Sequence, residues 1–592
     1  MARSTVTGRR ISRRSVLAGV SGTLAATSGC LSRVRAMAGR EASGAVALSI
    51  KTLPVDEDPF AIAVARQLAE WFEAAGIRTS VQPMTAEELY RQVLLNHDFD
   101  VFVCQYPLVT DGPDALYPLL HSTFAVEPGL QNPFGYTNLS MDELLATQRR
   151  GGDGPRAEAA ARIQHRLVRE CPFAVLGFPE TIRATRTDRF SGWDAVFDPS
   201  LLPLLSLTPA DASVTTLRAT TPDNRPMANL NPLMATFRGY PDLTELVFDS
   251  LARPYQGTLV PWVAREWERT ESDPPELRVR LREDVSWHDG ERLTASDVAL
   301  TYRLLRDTSL GSLDDAAPAT RFRGCSTLVE RATVVDDRTV RVQFVDCPPA
   351  VAERALTVPL LPAHVWRERT TRADVSGIEV GAPTTEALIT NAVPPVGSGP
   401  LAFESATQRD LLVLERFDDH FLDGEVSGVP DPLSDGVPFD RLELQFVASD
   451  ASAVELIANG EADVTALGVG PDLLSTVEDD DALAPSIERS HAPYVAGCNT
   501  RRSPLSNPRF RYLLSRLLDR AALNDSVFDG YLQPAYSPLA GTDWLPPALA
   551  STAPEPVVDF LGSDGAVDPS RARDAFRAAG YRYDERGRLL RS

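Results

Sequence analysis

The arrangement of hydrophobic and polar positions in residues 277–306 predicts a strand, a turn and a helix. The first six residues, LRVRLR, alternate an apolar residue with arginine, which is the period-two pattern of a strand with one buried face. Asp289-Gly290 then predicts a tight turn, because glycine reaches positive φ at little cost. Thr294 and Asp297 have the form of a capping box, and apolar residues follow them at helical spacing.

The first part of the chain shows a different pattern, in which strand-like and helix-like stretches alternate. Apolar runs typical of strands occupy residues 46–52, 77–84 and 99–105, and amphipathic stretches typical of helices occupy 60–75 and 86–95. Alternation of this kind predicts a parallel sheet covered by helices. The pattern continues with two helices and a strand, predicted at residues 138–149, 154–170 and 173–178.

The charge of the chain limits the partners that it can bind. It carries 81 acidic against 59 basic residues, a formal net charge of −22. Such an acidic protein is not expected to bind nucleic acid, since the phosphate backbone is bound by basic patches. Lys51 is the only lysine. An acidic, lysine-poor surface indicates adaptation to high salt, and the alternative is a GC-rich genome, which also replaces lysine by arginine.

Residues 1–30 have the features of an export signal. Ser-Arg-Arg at 12–14, before a weakly apolar run too short to span a bilayer, resembles a twin-arginine signal. The run ends Thr-Ser-Gly-Cys, which resembles a lipobox with Cys30 as the lipidated residue. Thr27 replaces the usual leucine of that motif, so a cleaved signal without lipid is the alternative. Residues 31–44 are predicted to form a tether.

The literal sequence of residues 277–306 adds a family resemblance. An arginine-rich strand, then V-S-W-H-D-G and L-T-A-S-D-V before an amphipathic helix, resembles the signature of the family 5 extracytoplasmic solute-binding proteins, the peptide-binding receptors of ABC importers. We interpret His288 and Asp289 of this motif as a scaffold turn, because no second catalytic group stands at suitable spacing. The resemblance implies a two-lobed α/β fold of the class II periplasmic-binding-protein type, with a ligand cleft between the lobes.

The family motifs occur in rotated order along this chain. Residues 45–193 resemble a segment that stands near the end of other family members, whereas the usual opening occurs here within residues 214–255. Residues 570–592 resemble the helix and A-G-Y-x-x-D-x-x-G that normally come just before the segment found here at residue 45. We interpret this order as a circular permutation, which folds tolerate when the old ends lie close together.

The permutation predicts how the chain divides between the two lobes. Residues 184–467 are expected to form lobe I as one continuous stretch. Residues 45–183 and 468–592 are expected to build lobe II together. The alternative is that residues 45–210 form an independent α/β domain beside a truncated binding protein.

Motif searches give no sign of an enzyme or of a metal site. The cysteines contain no C-x-x-C pair, and the chain lacks H-E-x-x-H, a P-loop and, after the export signal, G-x-S-x-G. The seven histidines are not clustered, so neither a metal nor a cofactor is predicted.

One pair of cysteines has the spacing of a possible disulfide. Cys325 and Cys347 flank a predicted hairpin, residues 334–344, that turns at Asp336-Asp337, and the two cysteines are near register across it. In an oxidising exterior they could form a bridge. Two buried thiols are the alternative.

The resemblance also implies which residues of lobe I line the cleft. The loop that begins at Asn231 matches a family loop at the cleft, and the V-G-S-G-P turn matches one that brings backbone amides and a small polar residue to the ligand. The candidate ligand contacts in lobe I are Phe237, Arg238, Tyr240, Ser398 and Gly399.

In lobe II the chain departs from the family pattern. Tyr106 aligns with an aromatic residue at the end of a strand, but Val109 aligns with the aspartate that pairs with the amino terminus of the ligand. A buried ammonium without that carboxylate would cost roughly several kcal/mol. Asp111 could replace it if the loop is re-laid, and otherwise the ligand is not an ordinary free-amine peptide.

Together these observations predict an exported, lipid-anchored, monomeric and non-catalytic receptor. It would capture a peptide-like solute and deliver it to an ABC permease in the membrane. The sequence leaves a peptide, a nickel complex and a sugar open as the ligand. The alternatives are a secreted hydrolase on a similar frame, or a sensory or scaffold lipoprotein with a degenerate cleft.

Overall fold

The computed structural model of the 592-residue chain describes most of it. The described residues are 44–107, 112–194, 200–235, 242–270, 272, 274–373, 383–424, 426–553 and 557–591. The predicted export signal, Cys30 and nearly all of the predicted tether lie outside these ranges.

The described residues bury two large hydrophobic cores and two small ones. The first core draws its residues from between Phe190 and Val464, and we call this part lobe I. The second draws on two separate stretches, Val46–Phe178 and Tyr494–Leu589, and we call this part lobe II. Where the lobes meet, eight residues form a small core that includes Ile182 and Val469.

One sheet of 12 strands runs through both lobes. In lobe II its strands are Arg78–Pro83, Ala47–Thr52, Val101–Gln105, Tyr494–Cys498 and Leu532–Pro534. In lobe I and at the junction they are Leu401–Thr407, Leu411–Arg416, Arg441–Phe446, Thr216–Thr221, Val464–Thr465 and Leu483–Arg489. The remaining strand, Phe173–Arg186, lies between the two groups.

The strand Phe173–Arg186, which we call the shared strand, is longer than its sequence pattern predicts. Its first residues pair antiparallel with 494–497 in lobe II, as the apolar run 173–178 leads one to expect. Its second half pairs with 483–489 at the junction, from Glu180–Arg489 to Arg186–Leu483. The shared strand is one crossing between the lobes, and the stretch from 465 to 494 is the other, so a two-crossing class II arrangement results.

Lobe II contains the α/β pattern that the first part of the sequence predicts. The strand Ala47–Thr52 pairs in parallel with both of its neighbours, which are the strands before and after the second helix. The predicted helix at 86–95 is α-helical only to Tyr90 and continues as a π-helix over Arg91–Leu95. The α-helices of lobe II are Ala61–Ala74, Ala86–Tyr90, Leu116–Leu120, Leu139–Arg150, Asp153–Glu170, Pro508–Ser515, Arg520–Ser526 and Pro569–Ala578.

Lobe I carries a second, four-stranded sheet, and the segment 277–306 lies in it. The strand Glu276–Leu281 buries its leucines and valine, and the predicted capping box of Thr294 and Asp297 is present at the start of the helix Ala295–Arg306. The other strands of this sheet are Ala264–Thr270, Thr339–Phe344 and Val329–Asp336. Further α-helices of lobe I and of the junction are Arg225–Ala228, Arg323–Ser326, Pro349–Ala352, Ala363–Trp366, Glu386–Ile389, Asp450–Ala458 and Leu474–Glu478.

Short elements complete the described fold. The two-residue to four-residue strand pairs are 190–191 with 208–209, 252–255 with 258–261, 562–563 with 566–567 and 582–583 with 589–590. The 3-10 turns are Pro113–Ala115, Ser122–Phe124, Leu202–Ser206, Leu243–Leu246, Thr320–Phe322, Glu353–Thr357, Arg367–Arg369, Phe421–Asp423, Asp431–Leu433, Pro471–Leu473 and Pro547–Leu549.

The turn at His288 and Asp289 makes the contacts of a scaffold element. His288 Nε2 lies 2.9 Å from the carbonyl of Gly399, and the His288 amide donates to the carbonyl of Gly397. Asp289 lies 2.7 Å from His364 Nε2. These bonds fix the loop 396–400 against the signature segment.

The possible disulfide is not formed in the described chain, where Cys325 and Cys347 are thiols. The hairpin ladder ends at the pair Val329–Phe344, and Cys325 lies beyond it in the helical turn Arg323–Ser326. The antiparallel register that the sequence predicts for the two cysteines therefore does not extend as far as Cys325.

Candidate binding site between the lobes

Two adjoining cavities lie between the lobes. The first, about 150 Å³, is lined by residues 55–60, Gln105 and Tyr494 of lobe II, by Pro222 of lobe I, and by both crossings. The second, about 160 Å³, lies between residues such as Leu53 and Tyr90 of lobe II and residues such as Arg225 and Leu243 of lobe I. The residues common to both cavities are Glu57, Asp58, Gln105 and Leu467.

We call the boundary between the lobes, where the two cavities lie, the seam. The segment 53–60 reaches the seam because of its place in the sheet. It follows the carboxyl end of the strand Ala47–Thr52, and in parallel sheets the loops at that end face the ligand crevice. Its acids are held by helix starts. Asp58 Oδ1 accepts hydrogen bonds from the amides of Phe60 (3.0 Å) and Ala61 (2.9 Å), the residues at which the helix 61–74 begins.

Three carboxyl groups in the cavity walls are held by neutral donors. Asp58, only 7% exposed, also accepts a hydrogen bond from the hydroxyl of Tyr494. Glu57 accepts from the amide of Ala86 (2.5 Å), and Asp450 accepts from the amide of Gly470 (3.0 Å). Burial raises the pKa of all three carboxyls above its ordinary value, because these hydrogen bonds offset only part of the lost hydration.

The arginines in the cavity walls already have acidic partners. Arg225 Nε and Nη2 donate to the two carboxylate oxygens of Asp223, each over 2.8 Å. Arg183 Nη1 donates to Glu488 Oε2 over 3.3 Å.

Of the ligand contacts expected from the sequence, Tyr106 turns inward. Its ring packs with Phe102 and Phe134 in the core of lobe II, and its hydroxyl donates to the carbonyl of Leu130 over 2.6 Å. Its neighbours Gln105 and Pro107 line the cavities instead.

Ser398 and Gly399 are fully or nearly fully buried in lobe I, away from the linings of the two cavities. The amide of Gly399 donates to the carbonyl of Val247 over 2.9 Å, so it is already used within the lobe. Ser398 is 0% exposed, and its hydroxyl has no hydrogen-bond partner among the described residues. The other expected contacts, Phe237, Arg238, Tyr240 and Asp111, together with Val109, lie outside the described residues.

Sequence reasoning missed the acids that line the cavities, above all Glu57, Asp58 and Asp450. One signal was available for the first two, since V-D-E-D follows the first strand of an alternating α/β pattern, where ligand loops are expected. No such signal marked Asp450, which reaches the seam only because the second crossing folds beside the helix that begins with it.

The lobes also meet outside the cavities, through hydrogen bonds and ion pairs of charged side chains. Asp114 of lobe II accepts hydrogen bonds from Arg149 of its own lobe (2.7 Å) and from Arg354 of lobe I (2.8 Å). Glu127 of lobe II forms a bidentate pair with Arg323 of lobe I, at 2.8 Å for both oxygens. We call these five residues the cross-lobe edge.

The described residues contain neither a candidate metal-binding cluster nor a candidate membrane span. They contain no group of three or more histidine, cysteine, aspartate or glutamate side chains that could hold a metal ion. No helix in the described ranges combines the length and the apolar character that a membrane span needs.

The fold and the seam define a two-lobed α/β binding protein with its cavities between the lobes. The sequence model for bacterial extracellular solute-binding proteins, family 5 Middle, matches residues 258–590, more than half of the chain. The chain belongs to this family, whose members are binding proteins and not enzymes.

Individual relatives are more distant. The chain is 27% identical to protein XP55 of Streptomyces lividans over 371 residues, which cover 61% of this chain and 60% of the relative. It is 24% identical to the glutathione-binding protein GsiB of Pectobacterium atrosepticum over 319 residues, which cover 52% and 51%. The chain thus spans about half to three fifths of the length of these relatives.

Solved structures of similar proteins cover comparable shares. NikZ of Campylobacter jejuni in complex with Ni(L-His) matches with a TM-score of 0.46 and 17% identity over 64% of this chain and 65% of that one. The oligopeptide-binding protein AppA of Bacillus subtilis in complex with a nonapeptide matches with a TM-score of 0.43 and 17% identity over 64% and 66%.

Proposed function

We propose that this chain is the extracytoplasmic receptor of an ABC importer, which captures a small peptide-like solute between its lobes and delivers it to the permease. The observation that carries the proposal is the pair of cavities, about 150 and 160 Å³, lined from both lobes. A solute that contacts both lobes binds the closed form better than the open form, so it shifts the population toward closure.

The names of the relatives support the solute class. GsiB is named for binding glutathione, and proteins of Brucella are named as ABC transporter peptide-binding proteins. Together the two cavities are at the small end of ligand sites, which span roughly 300–1,000 Å³. A short peptide or a peptide-sized derivative therefore fits the proposal better than a long peptide.

The ligand contacts expected from the sequence differ in how well they are supported. Ser398 has weak support, because it is fully buried in lobe I and does not line either cavity, although its hydroxyl lacks a partner in the described part of the chain. Gly399 and Tyr106 have weaker support, because the amide of the first and the ring of the second are used within their own lobes. Family resemblance alone supports Phe237, Arg238 and Tyr240. Asp111 is proposed only as a replacement, two residues on, for the family aspartate that Val109 replaces.

The setting of the receptor is likewise part of the proposal. Export by the twin-arginine route and a lipid anchor at Cys30 are supported by the motifs of residues 1–30. An acidic surface adapted to high salt is supported by the net charge of −22. We propose that the receptor works as a monomer at the outer surface of the membrane.

We also propose that the chain is a circular permutation, with lobe I at residues 184–467 and lobe II at 45–183 and 468–592. The cores support these bounds, since the lobe II core joins both stretches. Backbone bonds support the rotated order: the amide of Val46 donates to the carbonyl of Leu589 and that of Arg591 to the carbonyl of Gly44, each over 2.7 Å. Residues 591 and 44 are thus close enough to be joined.

A rearranged chain tests the permutation. It would begin at residue 200, continue from 591 directly into 44, and end at 194. We expect it to unfold with one cooperative transition and to match the natural chain in melting temperature to within a few degrees. Separate folding of residues 45–210 as a stable soluble domain would contradict the proposal.

Filling the cavities tests the receptor function. Leu467 lines both cavities and is partly exposed, so Leu467→Trp should block the site without disrupting a core. A mixture of dipeptides and tripeptides is added, and native mass spectrometry and the melting temperature record what is retained. We expect retention by the natural chain and by the control Leu139→Trp, which alters a leucine that is 78% exposed, but not by Leu467→Trp. Equal retention by all three would contradict the proposed site.

A further inference from the structure

The walls of the two cavities carry more negative than positive side chains. The acids in the walls are Asp56, Glu57, Asp58, Glu180, Asp223, Asp242 and Asp450, and the arginines are Arg183 and Arg225. Both arginines are engaged, Arg225 by Asp223 and Arg183 by Glu488. The field inside the cavities is therefore negative, and an anionic solute would be repelled from them.

Two of the acids, Asp58 and Asp450, have no positive partner in the described part of the chain, and Glu57 is near only Arg225, which Asp223 already binds. Glu57, Asp58 and Asp450 accept hydrogen bonds only from backbone amides and from the Tyr494 hydroxyl. A hydrogen bond from a neutral donor replaces lost hydration but leaves the negative charge in place. A cation entering the cavities would supply the missing opposite charge.

Aromatic rings line the same cavities. Phe60 and Tyr494 line the first, and Tyr90, whose ring already has the Arg225 guanidinium 5.8 Å from its centroid, lines the second. The face of an aromatic ring attracts a cation through its quadrupole, and it packs well against the apolar part of an organic molecule. Carboxylates and aromatic rings together favour an amine or a guanidinium on an organic frame over a bare metal ion, in keeping with the lack of a metal-binding group among the described residues.

Resting on the receptor function proposed above, we propose that the solute is an organic cation whose charged group binds at the wall that Glu57 and Asp58 share between the two cavities. The family aspartate that Val109 replaces is then not needed, because these acids supply the carboxylates from a different loop. A free-amine peptide fits this chemistry, and so does a guanidinium compound.

The protonation of these acids agrees with the inference. Burial raises the pKa of both Glu57 and Asp58, so the cavities hold their charge at a cost when no cation is present. A bound cation stabilises the ionised forms and lowers both pKa values. Affinity for a cation should therefore fall as the pH is lowered through the raised pKa values.

The test compares charged and neutral versions of the same compounds. The mature chain is incubated with a tripeptide mixture, with the same mixture after N-acetylation, and with agmatine, and native mass spectrometry identifies what is retained. We expect the free-amine tripeptides or agmatine to be retained and the acetylated mixture to be at least about tenfold weaker, the effect of one unscreened charge pair at moderate distance.

Two substitutions locate the charge. Glu57→Gln keeps an oxygen for the Ala86 amide but removes the charge, and it should weaken the retained cation about tenfold while leaving the melting temperature of the free protein nearly unchanged. Glu87→Gln is the matched control, because Glu87 is exposed, directly follows Ala86 and does not line the cavities. Asp450→Asn gives a second, independent loss of charge from the opposite lobe.

The possible outcomes distinguish a failure of the cation inference from a failure of the receptor function. Equal retention of the acetylated and free mixtures would overturn the cation inference and leave the receptor function standing. If neither Glu57→Gln nor Asp450→Asn weakens the binding of the cation, the placement of its charged group is overturned. Retention of nothing from any mixture would overturn the receptor function and the inference with it.

Discussion

The lobes meet in two regions of different character, the crossings and the cross-lobe edge. At the crossings the backbone itself joins the lobes, and the shared strand pairs with residues on both sides. Asp463, 0% exposed, stands beside them and accepts from Arg189 Nε (2.8 Å) and from the amide (2.8 Å) and Nη2 (2.9 Å) of Arg218. These bonds hold whether the lobes are close together or apart.

At the cross-lobe edge, the chain does not pass between the lobes, and side chains of one lobe bond to groups of the other, including Arg149 to Thr327 (3.2 Å) and to the carbonyl of Gly324 (3.3 Å). Burial alone would raise the pKa of Asp114, but the positive charges of Arg149 and Arg354 outweigh it and hold the pKa below its ordinary value. Arg354 supplies its share only when the lobes are close. The crossings therefore stabilise the fold, whereas the cross-lobe edge stabilises the closed arrangement that forms the cavities.

We expect the largest loss of unfolding free energy from a substitution beside the crossings. Asp463→Asn removes the charge that two partly buried arginines share, and breaking such a pair costs about 3 kcal/mol in the free energy of unfolding. Urea unfolding measures it.

The control for this change is Asp188→Asn. Asp188 pairs with Arg186 but is half exposed, so its loss should cost less than about 1 kcal/mol. Equal losses for the two substitutions would show that the buried acid at the crossing has no special role.

A smaller effect, of a different kind, is expected at the edge. Arg354→Gln removes one bond across the lobes and leaves those of Arg149 and the Glu127–Arg323 pair, so it should lower the closed population by no more than about tenfold, equivalent to about 1.4 kcal/mol. Small-angle scattering should show a larger radius of gyration, and binding to the cleft should weaken by a similar factor. Urea unfolding should change little.

Arg338→Gln is the matched control for Arg354→Gln, because Arg338 forms an exposed pair with Glu283 within lobe I. If Arg354→Gln lowers the unfolding free energy as much as Asp463→Asn and leaves the radius of gyration unchanged, the distinction between the two regions is wrong.

Acid should open the lobes through Asp114. A carboxyl whose folded pKa lies below its unfolded value adds stability above the unfolded pKa, about 3.9, and loses it as the pH falls through the folded pKa. We therefore expect the radius of gyration to be constant from about pH 7 to 5 and to rise below about pH 4. Asp114→Asn should have a larger radius of gyration than the natural chain at neutral pH and should lose this pH dependence. An unchanged acid transition in that variant would assign the transition to other groups.

The smallest effect belongs to Glu127 and Arg323. Both are partly exposed, at 23% and 15% of the side chain, so a double-mutant cycle of Glu127→Gln and Arg323→Gln should give a coupling of about 1 kcal/mol or less for closure. The coupling should shrink in 1 M salt, where the Debye length is about 3 Å. A coupling that survives high salt unchanged would mean that packing of Arg323 on Phe124, and not charge, makes the contact.

Local elements of the fold could be predicted from the sequence because each depends on neighbours in the chain. The helix 61–74, the capping box at Thr294 and the strand 276–281 follow from periodicity and caps within a few residues. The length of the shared strand could not, because residues 180–186 pair with a strand about 300 positions away.

The site was less predictable than the fold for the same reason. An apolar stretch ending in Gln105-Tyr106 predicts a buried strand, but which of the two side chains faces the cleft depends on the pairing of Gln105 with Tyr494. That pairing sends Tyr106 into the lobe II core and leaves Gln105 at the cavities.

The family and the two-lobed α/β class could be predicted from the amino-acid sequence, because the motifs that carry them are contiguous residues whose spacing sets local geometry. Which acids face each other across the seam, and which arginines they pair with, depends on the folded arrangement of the two lobes. Those contacts join residues that are far apart in the chain, and burial between the lobes, not composition, sets the charge of the cavities.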